Sequence, residues 1–231
     1  MLTTATPGAS HTGSDREPRR RRSGGETRAA ILGAARALCF EGGASAVTAR
    51  KVATTVGVSA TAIYRHYASI EDLLHAVRME GHGLLGGYLG RPPQHLHARE
   101  RLVAMQELYF RFGREHPRYF AMMFPASLGD AVAPDVGAEE AATLLIVRDA
   151  AALGIARGEI RTDLDALLIA NYCWLAVHSL TATAVSGHLE MTGPGLADTL
   201  LEQVKLSTRR WLRAPEPETR PDRLEPDGRS S

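Results

Sequence analysis

The chain has 231 residues, of which 44% are apolar, and it contains 22 glycines and 12 prolines. This composition excludes a collagen-like or a wholly disordered chain, and the length suits one compact unit or a small domain joined to a larger one. The net charge is only +1, but residues 1–67 carry ten basic and four acidic side chains, whereas residues 68–231 carry 17 and 22. A basic first third before an acidic remainder is typical of a nucleic-acid-binding head on a different body.

The two ends of the chain differ in composition from everything between them. Residues 1–25 are mostly Pro, Gly, Ser, Thr and Arg, with four consecutive arginines at 19–22. Residues 214–231 hold four prolines among charged side chains. Neither segment has enough apolar surface to offset the entropy lost on ordering. We therefore expect a disordered basic arm over residues 1–25 and a disordered tail over residues 214–231.

Between these ends the sequence has helix-capping and helix-terminating residues at the spacing of helices. We find no alternating strand pattern and no hairpin motif. Glycines, prolines and N-capping residues divide it into segments. The helix that follows Ser69 has a second half weakened by glycines at 81, 83, 86 and 87, and it ends before the prolines at 92 and 93. The sequence therefore predicts an all-α fold of about nine helices, over residues 26–40, 48–56, 59–67, 69–90, 97–115, 117–124, 138–156, 163–186 and 195–212.

The compartment follows from the cysteines and from the apolar stretches. Cys39 and Cys173 are far apart in apolar segments, and the first residues contain no apolar run of the secretory kind. These features indicate a reducing compartment, so we expect a cytoplasmic protein. Residues 166–185 have about the length of a membrane span, but Asn171 and His178 interrupt them. A helix that is buried all round, in a core or between subunits, explains this stretch better than a membrane helix.

The most informative stretch is residues 48–67, TARKVATTVGVSATAIYRHY. Ala53, Gly57 and Ile63 have the spacing of a helix-turn-helix motif. The small Ala53 allows two helices to cross closely, Gly57 supplies a positive φ at the turn, and Ile63 fills the angle between the helices. Any corner between two helices with a small residue and a glycine could have this spacing. Positive charge at Arg28, around the motif and in the arm favours DNA binding, since phosphate contacts supply most non-specific affinity.

The segment from residue 26 to residue 74 resembles the TetR family of bacterial transcriptional repressors. The matching residues are Gly42, Gly43, Val47, Thr48, Val52, Ala53, Gly57, Val58, Ser59, Ile63, Tyr64, Arg65, His66, Tyr67, Glu71, Asp72, Leu73 and Leu74. The resemblance implies a helix-turn-helix domain over residues 26–72 and a larger ligand-binding and dimerisation domain over residues 73–213. It implies a homodimer on a double-stranded DNA operator. One departure is Ile70, which stands where the family usually has a basic residue that reaches a phosphate.

The resemblance also assigns roles within the motif. Thr48 corresponds to the residue that holds a phosphate at the start of the second helix. Tyr64 and His66 correspond to residues that contact the DNA backbone, whereas Tyr67 is expected to pack in the core. The remaining predicted DNA-binding residues either lie near base edges or carry positive charge: Ser59, Ala60, Thr61, Arg65, Arg28, Arg50 and Lys51.

For the second domain the resemblance implies a pocket for a small-molecule effector. Ligand pockets are mostly apolar with a few polar groups. A polar group in a very apolar helix needs a partner, which makes His178 and Asn171 the best candidates for a hydrogen bond to a ligand, another side chain or a water. We therefore expect a largely apolar effector. The predicted pocket consists of Met105, Tyr109, Phe120, Trp174 and His178, beside the glycine-rich half of the helix after Ser69.

Other chemistry finds little support in the sequence. His95, His97 and Glu100 form a close group of possible metal ligands, but a site needs about four and no second group completes it. We find no phosphate-binding loop, nucleophile elbow or HExxH motif. We therefore predict no enzyme activity, cofactor, metal or membrane. The alternative is a helical small-molecule-binding protein or enzyme in which the helix-turn-helix is merely structural.

Overall fold

The structure, a computed structural model, describes residues 23–124 and 138–213. These residues form ten α-helices and one 3-10 turn, and they contain no β-strand, so the all-α prediction is confirmed. The predicted arm, apart from residues 23–25, and the predicted tail lie outside the described residues. The helices are α1 (Gly24–Gly42), α2 (Ala49–Val56), α3 (Ala60–Ile63), α4 (Ile70–Leu89), α5 (Ala98–Glu115), α6 (Pro117–Met123), α7 (Ala138–Ala156), α8 (Ala166–Val185), α9 (His188–Thr192) and α10 (Leu196–Trp211).

Side-chain caps fix where the first four helices begin. Thr48, Ser59 and Ser69 cap α2, α3 and α4 as the sequence predicts. Helix α1 begins two residues before the predicted start at residue 26. The reason is a reciprocal capping box, in which the Ser23 hydroxyl accepts a hydrogen bond from the Glu26 backbone at 3.2 Å and the Glu26 carboxylate accepts one from the Ser23 backbone at 2.7 Å.

Two local features differ from the sequence prediction. Helix α3 ends at Ile63 rather than at Tyr67, because the Ile63 carbonyl accepts from the backbone N–H groups of both His66, at 2.9 Å, and Tyr67, at 3.1 Å, which closes a turn. The sequence also missed α9, a five-residue helix bounded by Gly187 and Gly193. The eight residues 187–194, with two glycines and a proline, favoured a loop there, and neighbouring helices supply the packing that local propensity lacks.

The helices build two hydrophobic cores that share one helix. The head core is formed by α1, α2, α3 and the first half of α4, which contributes Leu73 and Val77. Both residues follow the predicted domain boundary at residue 72. The body core is formed mainly by α5, α7, α8 and α10, with Leu85 and Leu89 from the second half of α4. Helix α4 is therefore the continuous link between head and body.

Helix α8 is, within the described chain, the one helix long and apolar enough to cross a bilayer. Its Ile169, Cys173 and Val177 are buried in the body core, as expected of a core helix in a globular protein. Leu168 and Leu175 are 53% and 55% exposed. Within a single chain, burial is therefore confined to one face, and the all-round burial predicted for this helix requires a second surface against the other face.

Candidate nucleic-acid interface and ligand cavity

The turn between α2 and α3 has the geometry that the sequence spacing predicts. Gly57 adopts φ +77° and ψ +40°, a left-handed conformation that costs a glycine little. The Ala53 carbonyl accepts from the backbone N–H groups of Gly57 at 2.9 Å and Val58 at 3.0 Å. Ala53 and Ile63 are almost fully buried at the crossing of the two helices. Residues 48–67 therefore form a packed helix-turn-helix.

The predicted DNA-binding residues lie on the surface of this motif and around it. Of the ten, His66 is half-buried and the other nine are exposed. The phenol ring of Tyr64 is notable because half of a large aromatic side chain, 52%, faces solvent. Thr61 and Arg65 lie one helical turn apart on the same exposed side of α3 and of the turn that follows it. This surface offers hydroxyl, phenol and guanidinium groups to a binding partner.

The charges in the first turn of α2 destabilise the isolated helix and favour binding of an anion. Its first turn carries Arg50 and Lys51 and no acidic residue, whereas the first turn of α4 carries Glu71 and Asp72. Cations at a helix N-terminus oppose the helix dipole, at a cost of about 0.3–1 kcal/mol each. A phosphate at this end would offset that cost. The Thr48 hydroxyl accepts from the Lys51 backbone at 3.3 Å, and its own proton remains available to an anion.

Arg28 has a structural partner that the sequence did not reveal. Its guanidinium donates a hydrogen bond to the His66 carbonyl and lies 4.2 Å from the centroid of the Tyr67 ring. Tyr67 is buried, as its predicted packing role requires. Arg28 therefore ties α1 to the end of the recognition segment. Ile70, which replaces the basic residue usual in the family, is half-buried and packs against the head core.

A cavity of about 340 Å³ lies in the body, enclosed by side chains from α4, α5, α7 and α8 and from the end of α6. Met105, Tyr109 and Trp174 line it, as predicted. Phe120 and His178 do not line it. They lie behind Tyr109, with the Phe120 and His178 rings stacked at 5.5 Å between centroids. Further lining residues were not predicted from the sequence, among them His82, Leu85, Gln106, Leu144 and Val147.

A chain of hydrogen bonds crosses the wall of this cavity. The Trp174 indole N–H donates to the Tyr109 hydroxyl at 3.3 Å, and that hydroxyl lies 2.8 Å from His178 Nδ1. The Tyr109 hydroxyl and the His178 ring therefore share a hydrogen bond, and the tautomer of His178 decides which of the two donates. Burial lowers the pKa of His178 and raises that of Tyr109, which favours the neutral form of both groups. The candidate His178 is therefore satisfied by the protein itself.

Two family models match this chain. The model described as "Bacterial regulatory proteins, tetR family" matches residues 31–77, and the one described as "Tetracyclin repressor-like, C-terminal domain" matches residues 102–205, together more than half of the sequence. The chain belongs to the TetR family. It is therefore a DNA-binding transcriptional regulator with a helix-turn-helix head. No curated protein matches the sequence.

Solved structures support the same TetR fold. A protein of unknown function from Rhodococcus sp. RHA1 is 25% identical, with a TM-score of 0.68 over 85% of this chain and 98% of that one. A tetR-family regulatory protein from Rhodococcus RHA1 is 20% identical, with a TM-score of 0.56 over 83% and 99%. FadR from Bacillus subtilis in complex with stearoyl-CoA is 18% identical, with a TM-score of 0.61 over 76% and 96%. The last two likenesses show the fold alone.

In this TetR-family chain, α6 contacts both the head and the cavity. On one side, the Tyr119 hydroxyl donates to Glu80 at 3.3 Å, and Glu80 pairs with Arg36 of α1 at 3.2 Å. On the other side, Met123 lines the cavity. A Cβ atom on Gly81 of α4 would lie only 2.5 Å from the Met123 sulfur, so α4 and α6 meet closely at this glycine. The arrangement connects the cavity wall to the head within one short helix.

The groups considered for metal binding have other partners. Glu100 accepts two hydrogen bonds from the Arg209 guanidinium, which lowers the pKa of Glu100. His97 caps α5 by accepting from the Arg99 backbone at 3.4 Å. Among the residues that the structure describes, no group of three or more His, Cys, Asp or Glu side chains could hold a metal ion. Both cysteines are buried free thiols.

Proposed function

We propose that this chain binds a palindromic operator as a homodimer in the cytoplasm and leaves it when a small, largely apolar molecule enters the cavity. It regulates by binding and catalyses no reaction. The observation that supports this proposal most directly is the charge of the motif. Helix α2 begins with Thr48, Arg50 and Lys51 and has no acidic residue in its first turn, which favours binding of a DNA phosphate. Phosphate contacts position the motif, and the exposed residues of α3 then face base edges.

The homodimer follows from the size of the recognition segment and from an uncovered apolar face. One helix as short as α3 reads few base pairs, so two copies about one helical turn of DNA apart, about 34–36 Å, are needed for a specific site. The exposed Leu168 and Leu175 of α8 flank a groove of about 450 Å³ between α8 and α10. Leu200 and Val204 line that groove on the α10 side. We assign this face to the second copy, packed as a four-helix interface.

The apolar cavity supports an apolar effector. FadR from Bacillus subtilis, which has the same fold, was solved with stearoyl-CoA, a molecule with a long apolar chain. An effector shifts the protein off DNA only if it binds the DNA-incompetent arrangement more tightly than the competent one. The route we propose runs from the cavity through Met123 to the close contact at Gly81, and so tilts α4 and the head attached to it. Tilting α4 in both subunits changes the spacing of the two recognition helices.

A gel shift on the DNA upstream of the chain's own gene tests the operator assignment. Arg65→Ala and Thr61→Ala should each relax base preference by about 1–3 kcal/mol per lost good contact. Tyr64→Ala should weaken binding to all sequences alike, because it removes a backbone contact. Thr199→Ala, the same change at an exposed threonine of α10, is the matched control and should bind like the parent chain. Parental binding by all three head variants would show that the groove assignment is wrong.

A further inference from the structure

Gln106, in the cavity wall, has a buried polar atom with no hydrogen-bond partner among the residues that the structure describes. Gln106 of α5 is only 3% exposed and lines the cavity. Its amide Nε2 donates to the Cys173 carbonyl at 3.0 Å, which fixes the orientation of the amide, because a flipped group would set two oxygens against each other. The other end is therefore the acceptor Oε1, and it has no hydrogen-bond partner within the described part of the chain. A buried acceptor without a partner is costly, so a ligand that donates to it gains affinity.

The indole and the phenol of the cavity wall already have partners within the protein. The Trp174 indole N–H donates to the Tyr109 hydroxyl, and that hydroxyl is hydrogen-bonded to His178. His82 and Thr143 also have interaction partners. Gln106 Oε1, by contrast, is an acceptor without a donor among the described residues.

The charge of the cavity restricts the ligand further. The cavity-lining side chains that the structure describes, within residues 23–124 and 141–213, include no Lys, Arg, Asp or Glu. Against these side chains a carboxylate or phosphate would lose its hydration without gaining a counter-ion, and an ammonium group would meet no carboxylate. The volume of about 340 Å³ is near the lower end of the range for ligand pockets, about 300–1,000 Å³. The cavity therefore suits a small uncharged molecule.

We infer that the effector of this chain is an uncharged, largely apolar molecule that donates one hydrogen bond, from a hydroxyl or N–H group, to Gln106 Oε1. The inference rests on the proposed function only in treating the cavity as the effector site. An apolar cavity alone requires only an apolar ligand, whereas this inference also requires a hydrogen-bond donor. An alkyl chain that ends in a hydroxyl has that donor, whereas the corresponding ether or carboxylate does not.

Three probes of matched size separate these classes in the full-length protein by isothermal titration calorimetry: octan-1-ol, heptyl methyl ether and octanoate. We expect the alcohol to bind about tenfold tighter than the ether or more, since only the alcohol pairs with the buried acceptor. We expect octanoate to bind most weakly. Gln106→Leu should bring the ratio of alcohol to ether affinity close to one while the ether still binds.

A matched control keeps this result distinct from a general loss of packing. Thr208 of α10 is also fully buried with an unpartnered oxygen, but it does not line the cavity. Thr208→Val should retain the parental preference for the alcohol, and thermal unfolding of each variant reports whether it is folded. Should Gln106→Leu fail to fold, Gln106→Met provides the same test with an unbranched side chain.

Four results would overturn the inference. Equal affinity of the parent chain for alcohol and ether means that the donor is not recognised, as when a water already satisfies Oε1. Tightest binding by octanoate means that the cavity accepts an anion. Retention of the alcohol preference in a folded Gln106 variant places the acceptor elsewhere. If none of the three probes binds, a small, largely apolar effector in this cavity is excluded. None of these results affects operator binding in the gel shift, so failure here is distinguishable from failure of the proposed function.

Discussion

Stiffening the second half of α4 should make the effector less able to release DNA. Of the four glycines there, Gly83 and Gly87 face open space, with no atom within 4 Å of a Cβ atom built on either. Gly81 is unsuitable because its Cβ would clash with Met123, and Gly86 lies near Ile146. The double variant Gly83→Ala/Gly87→Ala therefore changes helix propensity and adds no new contact. Each substitution in a helix interior stabilises the helix by about 1 kcal/mol, or about 2 kcal/mol together.

The consequence for release follows from the proposed route. If the effector acts by reordering this half of α4, reordering costs about 2 kcal/mol more in the double variant, because its helix is more stable by that amount. Half-release would then require about 30-fold more effector, since each 1.4 kcal/mol is a factor of ten. Fluorescence anisotropy of labelled operator, titrated with the alcohol that binds the cavity, measures the half-release concentration. Urea unfolding of the same samples measures the gain in stability.

Gly33→Ala in α1 provides the matched control. A Cβ atom there meets only the Arg36 guanidinium at 3.9 Å, an ordinary contact, and α1 lies in the head. This variant should gain about 1 kcal/mol of stability and release DNA at the parental effector concentration. A double variant that is stabilised as expected but has an unchanged half-release concentration would refute the soft-helix route. Reordering would then have to occur elsewhere, even with the cavity correctly assigned.

Three further outcomes are expected. Deleting residues 1–22 removes five arginines, so the slope of log affinity against log salt should fall by up to about 0.9 per lost phosphate contact, and an unchanged slope would exclude the arm from the interface. Leu175→Lys should yield monomers in sedimentation and lose operator binding together, whereas Leu84→Lys, on an exposed leucine of α4, should remain dimeric. A Leu175→Lys protein that stays dimeric at micromolar concentration would place the interface elsewhere. His178 has a lowered pKa in the folded chain, so its contribution to stability is present above the unfolded pKa of about 6.5 and is lost as the pH falls through the folded pKa. The free energy of unfolding, measured in urea, should therefore fall less steeply below pH 6.5 in His178→Gln than in the parent chain.

Leu175 is a better position for the interface test than Ala182, which lies seven residues further along α8. Ala182 is only partly exposed and packs against the body core, so an arginine there would disturb folding as well as association. Leu175 is 55% exposed, and a lysine at this position keeps its charge in water when the partner is absent. Loss of dimers in this variant therefore reports on the interface rather than on the stability of the single chain.

The head could be predicted from sequence because its determinants are local. The caps Thr48 and Ser59 and the turn residue Gly57 act within four residues of their own position, so residue type and spacing specify them. What failed was the end of α3. The Ile63 carbonyl closes the turn that ends it, and Arg28, 38 positions before His66 in the chain, donates to the His66 carbonyl. A hydrogen bond between segments that are so far apart in the chain does not change the spacing of apolar residues, so helical periodicity cannot reveal it.

The cavity was only partly predictable because core and cavity lining have the same pattern. Leu144 and Val147 of α7 repeat at helical spacing whether they meet another side chain or a ligand. The polar residue chosen in the apolar helix, His178, proved to lie behind the lining and to be satisfied by Tyr109. Gln106 carries the same kind of signal, a polar side chain on the apolar face of α5 between Leu102 and Tyr109. Only His178 was chosen from the sequence, because the three-dimensional partners that separate the two positions are not visible there.

The two separate cores indicate how a small cavity can control a distant DNA surface. Each core packs internally, so head and body can move as units, and α4 joins them. Several contacts set their angle. They include the partly exposed pair Arg36–Glu80, the hydrogen bond from Arg118 to the Phe40 carbonyl, the Phe40–Tyr119 ring contact and the close approach of Met123 to Gly81. A partly exposed ion pair is worth about 0–1 kcal/mol, so it can break and re-form at little cost. An effector needs a coupling of only about 1–3 kcal/mol to change operator affinity 5- to 150-fold. Met123 also lines the cavity, so a ligand that displaces it acts directly on its close contact with Gly81 of α4.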